Sequence, residues 1–287
     1  DAAVIVLPDQ LHLEVTEAFL RAGKDVLCEK PMALTMEECE QMMKVEKETG
    51  RKLMIGQVCR FTANFILAKQ MIDEGKIGDI YFIESEYAHD YMKIVSNEKS
   101  WRADPARHGM IGGGCHAVDL MRWIAGDPYE IMAYGTHKLL PTVPYNDATI
   151  AIMKFPNGAM GKVFVSTGCK RDYTMRTCIY GTKGTIICDN TSPTMQLFVV
   201  DENDEAPEKP EIIEIDVVGL FTEELLVITF SQQLEEIVRS LRDILAISLL
   251  ERLHVKAESL HFFDKNVEGL GGTGLKSVVT LNDVLVN

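Results

Sequence analysis

The first 58 residues alternate between short apolar segments and helical segments, and this order constrains the fold more than any other feature. Residues 2–7 are apolar throughout and end at Pro8, which predicts a strand buried on both faces. Apolar segments follow at 26–28 and 52–58, and a helical pattern fills each interval between them. Strands and helices in this order, with short connections, form right-handed βαβ units. The chain is therefore predicted to begin with a parallel sheet of the α/β class.

The two helical segments carry their own end signals. Residues 11–22 are expected to place Phe19 and the neighbouring leucines on the inner side of the first helix. Thr35 and Glu38 have the N-cap and N3 spacing of a capping box. The second helix is therefore expected to begin there and to end at Gly50, which suits a left-handed cap.

After residue 58 the pattern changes to an α+β one, and we place a domain boundary there. Extended segments predominate from residue 80 onward, and Asn157-Gly158 between two of them is a strong hairpin signal. The region 59–287 is thus predicted to hold a large, mostly antiparallel open sheet. Further helices are predicted at 64–74, 116–125, 223–244 and from 275 onward.

Composition argues against several classes of partner. The chain has 287 residues, of which 46% are hydrophobic, so it can bury a large core in two domains. A net charge of -14 argues against nucleic acid or an anionic membrane surface as a partner. No apolar segment is long enough to cross a bilayer. The seven cysteines lack a C-x-x-C pair and the histidines lack metal-ligand spacing, which indicates reduced thiols in a cytoplasmic protein without a metal site.

A charged pair follows the second apolar strand. Glu29 and Lys30 stand at its carboxyl end and are followed by Pro31, which restricts the backbone of Lys30 to extended conformations. In open α/β sheets, ligands bind at the carboxyl ends of the strands. The alternative is an exposed strand end with a surface ion pair, and the tripeptide alone favours that alternative.

Six sequence blocks follow one another in an order and at a spacing that a known family shares. They are VIVLP at 4–8, GKDVLCEKP at 23–31, GKIGD at 75–79, WR at 101–102, GGGCHAVDL at 112–120 and YGTKGT at 180–185. Together these blocks resemble the Gfo/Idh/MocA family of nicotinamide-dependent oxidoreductases, which includes glucose-fructose oxidoreductase and inositol dehydrogenase. The resemblance covers residues 1 to about 190.

The resemblance implies a domain organisation, a cofactor and a substrate class. Residues 1–58 would be the C-terminal part of a dinucleotide-binding Rossmann domain, and 59–287 a substrate-binding and oligomerisation domain. The implied cofactor is NAD or NADP, and the implied substrate is a sugar, a polyol or a related hydroxy compound. The glycine-rich turn and the residue that selects NAD or NADP are expected upstream of Asp1. The open sheet is implied to form a homodimer or homotetramer.

The resemblance also assigns the two catalytic roles. Lys30 matches the lysine that lies beside both the nicotinamide and the reacting hydroxyl, where an ammonium stabilises a developing alkoxide. Glu29 and Pro31 would hold the strand end beside the cofactor. His116 matches a histidine that contacts the substrate and acts as acid or base, which suits its intrinsic pKa. The alternatives are a solvated lysine at a strand end and a capping or core histidine.

One position departs from the family pattern. Many members carry an aspartate four residues before the histidine, and here that position is Gly112. Asp119, one helical turn after His116, or a tyrosine is a possible substitute in the proton relay. The alternative for Asp119, which we favour, is a structural role in holding the helix or His116.

Further contacts follow from position. Leu7, Pro8 and His12 close the loop after the first strand, along which the family places the cofactor, although His12 suits a helix start equally well. Gln57 and Arg60 follow the third strand and are expected to reach the nicotinamide or the substrate. The last two candidates are Trp101 and Arg102. They are expected to line the substrate pocket, because an aromatic face and a guanidinium suit a polyol.

Three functional hypotheses remain open at this point. The first is an NAD(P)-dependent dehydrogenase or reductase acting on a sugar or polyol. The second is a related enzyme that retains NAD and cleaves glycosidic bonds through transient oxidation, for which Gly112 leaves room. The third is a non-catalytic sensor or scaffold. The pair of Lys30 and His116 favours the first hypothesis.

Overall fold

The computed structural model describes residues 2–95 and 100–215. The helices predicted at 223–244 and from 275 onward lie outside the described residues. Within the described part, no helix combines the length and the apolar composition that a bilayer crossing requires.

The first sheet has three parallel strands in the order β1-β2-β3, as the sequence predicts. The helices α1 and α2 connect consecutive strands, which makes two βαβ units. The elements are β1 (Ala2–Ile5), α1 (His12–Arg21), β2 (Asp25–Cys28), α2 (Met36–Thr49) and β3 (Leu53–Ile55).

Helix α2 begins and ends as predicted. The hydroxyl of Thr35 accepts a hydrogen bond from the backbone N–H of Glu38 at 3.2 Å, and the Glu38 carboxylate accepts one from the backbone N–H of Thr35 at 3.2 Å. These reciprocal bonds form the capping box. The helix ends at Gly50, whose φ of 63° is the left-handed conformation expected of a C-terminal cap.

The expectation that the first strand is buried on both faces is wrong for the described residues. Ile5 and its β2 partner Cys28 are 2% and 0% exposed, whereas Val4 and its partner Leu27 are 68% and 37% exposed. Two right-handed crossovers that run in the same direction place both helices on one face of the sheet. Helices α1 and α2 therefore cover the Ile5 face, and no described helix covers the Val4 face.

The inner side of α1 also differs from the expectation. The buried positions of α1 are His12, Thr16 and Leu20, which are spaced four residues apart and form one stripe. Phe19 lies outside this stripe and is exposed. The prediction is right for Leu20, which is fully buried, and wrong for Phe19, because it followed hydrophobicity whereas two polar side chains make up most of the buried stripe.

The second sheet has eight strands in the order β11-β10-β9-β8-β4-β7-β6-β5. All neighbouring pairs are antiparallel except β4 and β7, which are parallel, so the predicted mostly antiparallel sheet is confirmed. The predicted hairpin is formed by β6 and β7, and Gly158 in its turn has a φ of 88°. The strands are β4 (Ile80–Ala88), β5 (Glu130–Thr136), β6 (Ala148–Lys154), β7 (Met160–Ser166), β8 (Thr177–Gly181), β9 (Gly184–Cys188), β10 (Thr194–Val199) and β11 (Glu211–Glu214).

Helices cover one face of this sheet. Helix α5 packs across β4 and β7, and α3 packs against β9. Strand β6 alternates between buried and exposed residues, so Ile150 and Ile152 lie on the opposite, exposed face. Tyr134 of β5 and Met160 of β7 are exposed as well. The helices of the second region are α3 (Ala63–Asp73), α4 (Met92–Val95) and α5 (Cys115–Ala125).

The carboxyl ends of the first sheet meet the segment that leads into α5. Polar contacts between them include those of Asp9 with Arg107 and of Lys30 with Gly112, whose partners are 98 and 82 residues apart along the chain. Arg60, which follows β3, binds Asp119 of α5, 59 residues further along the chain. The functional candidates therefore lie at the junction of the two sheets.

Candidate active site

Lys30 lies at the carboxyl end of β2 and contacts the second region directly. Its ammonium Nζ donates a hydrogen bond to the backbone carbonyl of Gly112 at 3.1 Å. The Glu29 carboxylate accepts a hydrogen bond from the backbone N–H of Lys30 at 3.2 Å, and the Lys30–Pro31 peptide bond is cis. The side chain of Lys30 is therefore held at the junction and does not extend freely into solvent as a surface ion pair would.

The glycine-rich segment before His116 forms a short π-helical turn, Met110–Gly114, that continues directly into α5. A Cβ at Gly113 would come within 2.6 Å of the Tyr87 ring, and one at Gly114 would come within 2.6 Å of the Met110 sulfur. The turn can thus pack closely against the eight-stranded sheet because Gly113 and Gly114 lack side chains. Single π turns inside helices occur frequently at functional sites.

His116 lies in the first turn of α5 and is buried, with 5% exposure. Its ring stacks against that of Tyr87, with a centroid distance of 6.4 Å and an interplanar angle of 28°. Burial, together with the positive charge of Lys30, lowers the pKa of His116 from 6.5 to about 3. Nδ1 is buried and has no hydrogen-bond partner. His116 is therefore a neutral imidazole with an unsatisfied buried nitrogen at neutral pH.

Asp119 and Arg60 bind each other. Nε and Nη2 of Arg60 donate to the two carboxylate oxygens of Asp119 at 2.8 and 2.9 Å, and both side chains are buried. This bidentate pair occupies both oxygens of Asp119. Arg60 and Asp119 thus have each other as partners, and the pair holds α5 against the end of the first sheet. That Arg60 reaches the nicotinamide or the substrate, and that Asp119 binds the substrate, stay predictions.

His12 is fully buried between two backbone segments. Its Nδ1 lies 2.8 Å from the carbonyl oxygen of Pro31, and its Nε2 lies 3.1 Å from that of Leu7. Both ring nitrogens are thus directed at backbone oxygens, and the side chain connects the loops after β1 and β2. The Leu7 side chain is exposed and Pro8 is half-buried, so the loop itself remains accessible.

Gln57 follows β3 and is 1% exposed. Neither Nε2 nor Oε1 of its amide has a hydrogen-bond partner in the structure. A buried amide with an unsatisfied donor and acceptor is costly, and such groups are rare in folded proteins. The group therefore fits a ligand that offers both a donor and an acceptor at this edge of the first sheet.

Trp101 and Arg102 lie together at the same junction. The guanidinium carbons of Arg102 and Arg107 are 4.1 and 4.8 Å from the centroid of the Trp101 ring, which is a cation–π arrangement. The Gln10 amide donates to the backbone carbonyl of Trp101 at 3.3 Å. Arg107 thus joins these two neighbouring residues at the junction, and their role in lining a substrate pocket stays a prediction.

Sequence reasoning missed two groups of residues near His116. The first is a cluster in which the Tyr87 hydroxyl lies 2.8 Å from the Tyr91 hydroxyl and 3.3 Å from Nδ1 of His89. Their alternation along and beyond β4 was a usable signal for a shared face. The second is the buried pair of Asp9 and Arg107, which has no local sequence signal because the partners are 98 residues apart.

The arrangement joins an ammonium, a neutral imidazole and a buried amide at one edge of the first sheet. The positive charge of Lys30 adds to the lowering of the pKa of His116 by burial, and it opposes the rise that burial gives to the pKa values of Cys59 and Cys115. An ammonium donates hydrogen bonds to an oxygen that gains negative charge, and a neutral imidazole accepts a proton. No group of three or more metal-ligating side chains occurs in residues 2–95 and 100–215.

Comparison with protein families gives two matches that follow the two regions. A model of the NAD-binding Rossmann fold of the GFO/IDH/MocA oxidoreductase family matches residues 1–57. A model of the GFO/IDH/MocA C-terminal domain matches residues 65–187. The two models of one family thus cover most of the described part of the chain in the expected order.

Relatives of known name agree with these matches. The chain is 29% identical over 203 residues to an inositol 2-dehydrogenase of Rhizobium meliloti, which spans 67% of this chain and 58% of the relative. It is 29% identical over 209 residues to a levoglucosan dehydrogenase of Pseudarthrobacter phenanthrenivorans, which spans 64% of this chain and 54% of the relative. The chain thus spans about half the length of the curated relatives it matches.

Solved structures share the fold. An NAD binding oxidoreductase from Klebsiella pneumoniae superposes with a TM-score of 0.75 at 20% identity and covers 88% of this chain and 78% of its own. A levoglucosan dehydrogenase in complex with NADH and levoglucosan superposes with a TM-score of 0.68 at 26% identity and covers 86% and 70%. From the two family models and the shared fold, we conclude that the chain belongs to the Gfo/Idh/MocA family of oxidoreductases.

Proposed function

We propose that the protein is an NAD(P)-dependent dehydrogenase or reductase that acts on a hydroxyl group of a sugar or polyol. The observation that carries the proposal is the fixed position of the Lys30 ammonium at the carboxyl edge of the first sheet, beside the neutral imidazole of His116. Similar proteins named inositol 2-dehydrogenase, levoglucosan dehydrogenase and D-xylose 1-dehydrogenase [NADP(+)] support the substrate class.

The residues at this edge fit a nicotinamide. The unsatisfied donor and acceptor of Gln57 complement a carboxamide, which offers one of each. The accessible loop of Leu7 and Pro8 would lie along the cofactor, and Glu29 and Pro31 would hold Lys30 beside it. When bound, the nicotinamide supplies the redox chemistry, and the protein supplies orientation and proton handling.

Lys30 and His116 have complementary tasks in this proposal. The Lys30 ammonium donates a hydrogen bond to the substrate oxygen and stabilises the negative charge that develops there during oxidation. The imidazole of His116 is neutral and its Nδ1 has no partner, so this nitrogen can accept a hydrogen bond from the substrate hydroxyl, and the negative charge that develops on that oxygen would raise the pKa of His116 and favour transfer of the proton. In the reductive direction, the same nitrogen returns the proton.

The test is formation of NADH or NADPH, followed by absorbance, with a panel of polyols and aldoses. We expect Lys30→Ala to lower kcat by about 100- to 1,000-fold, the range found when one group that stabilises an oxyanion is removed. Lys44→Ala, at an exposed lysine of α2, is the control and should retain wild-type turnover. Undiminished turnover in Lys30→Ala would remove Lys30 from its role.

The same assay separates the other two hypotheses. Release of a sugar from a glycoside without net NAD(P)H formation would favour the enzyme class that retains its cofactor, for which the missing carboxylate at Gly112 leaves room. No turnover of any panel member by the wild-type protein would favour a sensor or scaffold.

We also propose that the protein forms a homo-oligomer through the exposed face of the eight-stranded sheet and works in the cytoplasm. The exposed apolar side chains on that face support the first proposal, because exposed apolar surface is typical of interfaces. They include Tyr134, Ile150, Ile152 and Met160. The free thiols, of which six are buried, support a reducing compartment.

A further inference from the structure

Asp9 and Arg107 form a buried ion pair at the junction of the two regions. Nε of Arg107 donates to the Asp9 carboxylate at 2.6 Å, and each side chain is 3% exposed. Asp9 belongs to the loop after β1, and Arg107 lies shortly before the π-helical turn. Separation of a buried pair of this kind is strongly unfavourable, because it leaves an uncompensated charge away from water.

The Arg107 guanidinium lies directly against Gly112. A Cβ built on Gly112 would overlap Nη1 and would lie 2.6 Å from Cζ and 3.0 Å from Nη2. Real Cβ atoms do not approach other atoms this closely, so either the guanidinium or the backbone would have to move. Arg107 therefore occupies the space that any side chain at position 112 would need.

Gly112 also holds Lys30, because its carbonyl accepts the hydrogen bond from Nζ at 3.1 Å. Arg107 and Lys30 thus contact the same residue, one at its Cα and the other at its carbonyl oxygen. Gly112 therefore lies between the guanidinium of Arg107 and the ammonium of Lys30.

We propose that Arg107, anchored by Asp9, is a positioning residue that fixes the Lys30 ammonium through Gly112 and excludes every larger residue from position 112. The catalytic consequence rests on the proposed dehydrogenase function, whereas the packing and the position of Lys30 do not. If the Asp9–Arg107 ion pair only joined the two regions, it would stabilise the fold but would have no effect on the position of the Lys30 ammonium.

The first experiment is a double-mutant cycle on Gly112→Ala and Arg107→Ala. In the wild-type background, Gly112→Ala should lower the Tm by several degrees, because its Cβ meets the guanidinium. In the Arg107→Ala background, the same substitution should leave the Tm unchanged, because the space is free. Equal losses of Tm in both backgrounds would overturn the exclusion at position 112.

The second experiment measures the position of Lys30 without reference to activity. Reductive methylation with formaldehyde and cyanoborohydride, followed by peptide mass spectrometry, reports how readily each lysine amine reacts. Lys30 should react several-fold faster in Arg107→Ala and in Asp9→Asn than in the wild type. Lys44, on α2, should react at the same rate in all three proteins. An unchanged rate at Lys30 would show that the pair is only a structural tie.

The third experiment uses turnover. Misplacement of a reacting group by about 1 Å can cost about 100-fold in rate, so Arg107→Ala should lower kcat by up to that factor while KM changes little. Arg51→Ala, at an exposed arginine, should retain wild-type kcat and KM. Unchanged kcat in Arg107→Ala would overturn the positioning role. If the wild type turns over no sugar, the proposed function fails, and the methylation and Tm results still decide this inference.

Discussion

At the scale of single residues, the junction keeps several charged and polar groups away from water. His116 is neutral because burial and the charge of Lys30 disfavour its protonated form. Asp119 remains satisfied because Arg60 binds both of its oxygens. The stability of the fold is therefore expected to depend on pH because of His116, and on the negative charge of Asp119 because that charge compensates the buried guanidinium of Arg60.

We predict that His116 makes the folded protein less stable in acid. Its pKa is about 3 in the folded state against 6.5 unperturbed, so the unfolded chain binds a proton that the folded chain does not between these values. The stabilising effect of neutral His116 is complete above pH 6.5 and is lost as the pH falls, by at most about 1.4 kcal/mol per pH unit.

The measurement is the free energy of unfolding in urea at several values from about pH 7 down to about pH 5. His116→Asn should show a shallower decrease with falling pH than the wild type. Equal slopes in the two proteins would show that His116 titrates alike in the folded and unfolded states.

We predict that Asp119→Asn destabilises the fold by about 3–5 kcal/mol, because it leaves the buried guanidinium of Arg60 without a compensating charge. Asp73→Asn is the matched control, since Asp73 pairs with Lys69 on the exposed surface of α3 and should cost less than about 1 kcal/mol. Urea unfolding measures both variants. Similar small losses in the two would mean that the buried pair contributes little.

At the scale of elements, the features that the sequence predicts correctly are those whose signals lie close together along the chain. The capping box of α2 and the glycine that ends it involve neighbours within four residues, and both are present as predicted. The Asn157-Gly158 turn likewise joins β6 and β7. Local patterns of this kind carry their own geometry, so the sequence alone was sufficient.

We predict that Thr35→Ala lowers the free energy of unfolding by about 1 kcal/mol, because the N–H of Glu38 loses its acceptor. Thr35→Ser keeps the hydroxyl and is the control, with an expected loss close to zero. Thermal and urea unfolding measure both variants. A loss in Thr35→Ser as large as in Thr35→Ala would point to the lost methyl group instead of the cap.

At the scale of the whole molecule, the contacts that join the two sheets were the part that sequence reasoning could not supply. It placed Lys30 and His116 at one site by resemblance, but it left the partners of Arg60 and Asp119 unidentified. The partners of the two buried ion pairs are separated by 59 and by 98 positions along the chain, so no periodic pattern in the sequence connects them. The exposed Val4 face was missed for a similar reason, since an apolar strand does not reveal which face a helix covers.

We predict that Ile152→Glu lowers the molar mass in solution, because it places a charge on the exposed face of the eight-stranded sheet that we propose as an interface. Static light scattering measures the mass. Phe19→Glu, at a similarly exposed position on α1, is the control and should leave the mass unchanged. An unchanged mass in Ile152→Glu, with a wild-type mass above that of one chain, would place the interface elsewhere.

The position of β4 in the centre of the second sheet has a consequence for synthesis of the chain. Both neighbours of β4 are made after it, and its contacts with them join residues 78 and 92 positions apart. Before β7 and β8 have been synthesised, both edges of β4 carry unpaired backbone groups, which favour aggregation with other nascent chains. Glu84 and Glu86, which bind Lys162, Arg176 and Arg171 in the folded protein, keep the waiting strand negatively charged. Charged side chains are a common protection of unpaired strand edges, so the carboxylates that form ion pairs in the folded protein suit this second role in the newly made chain.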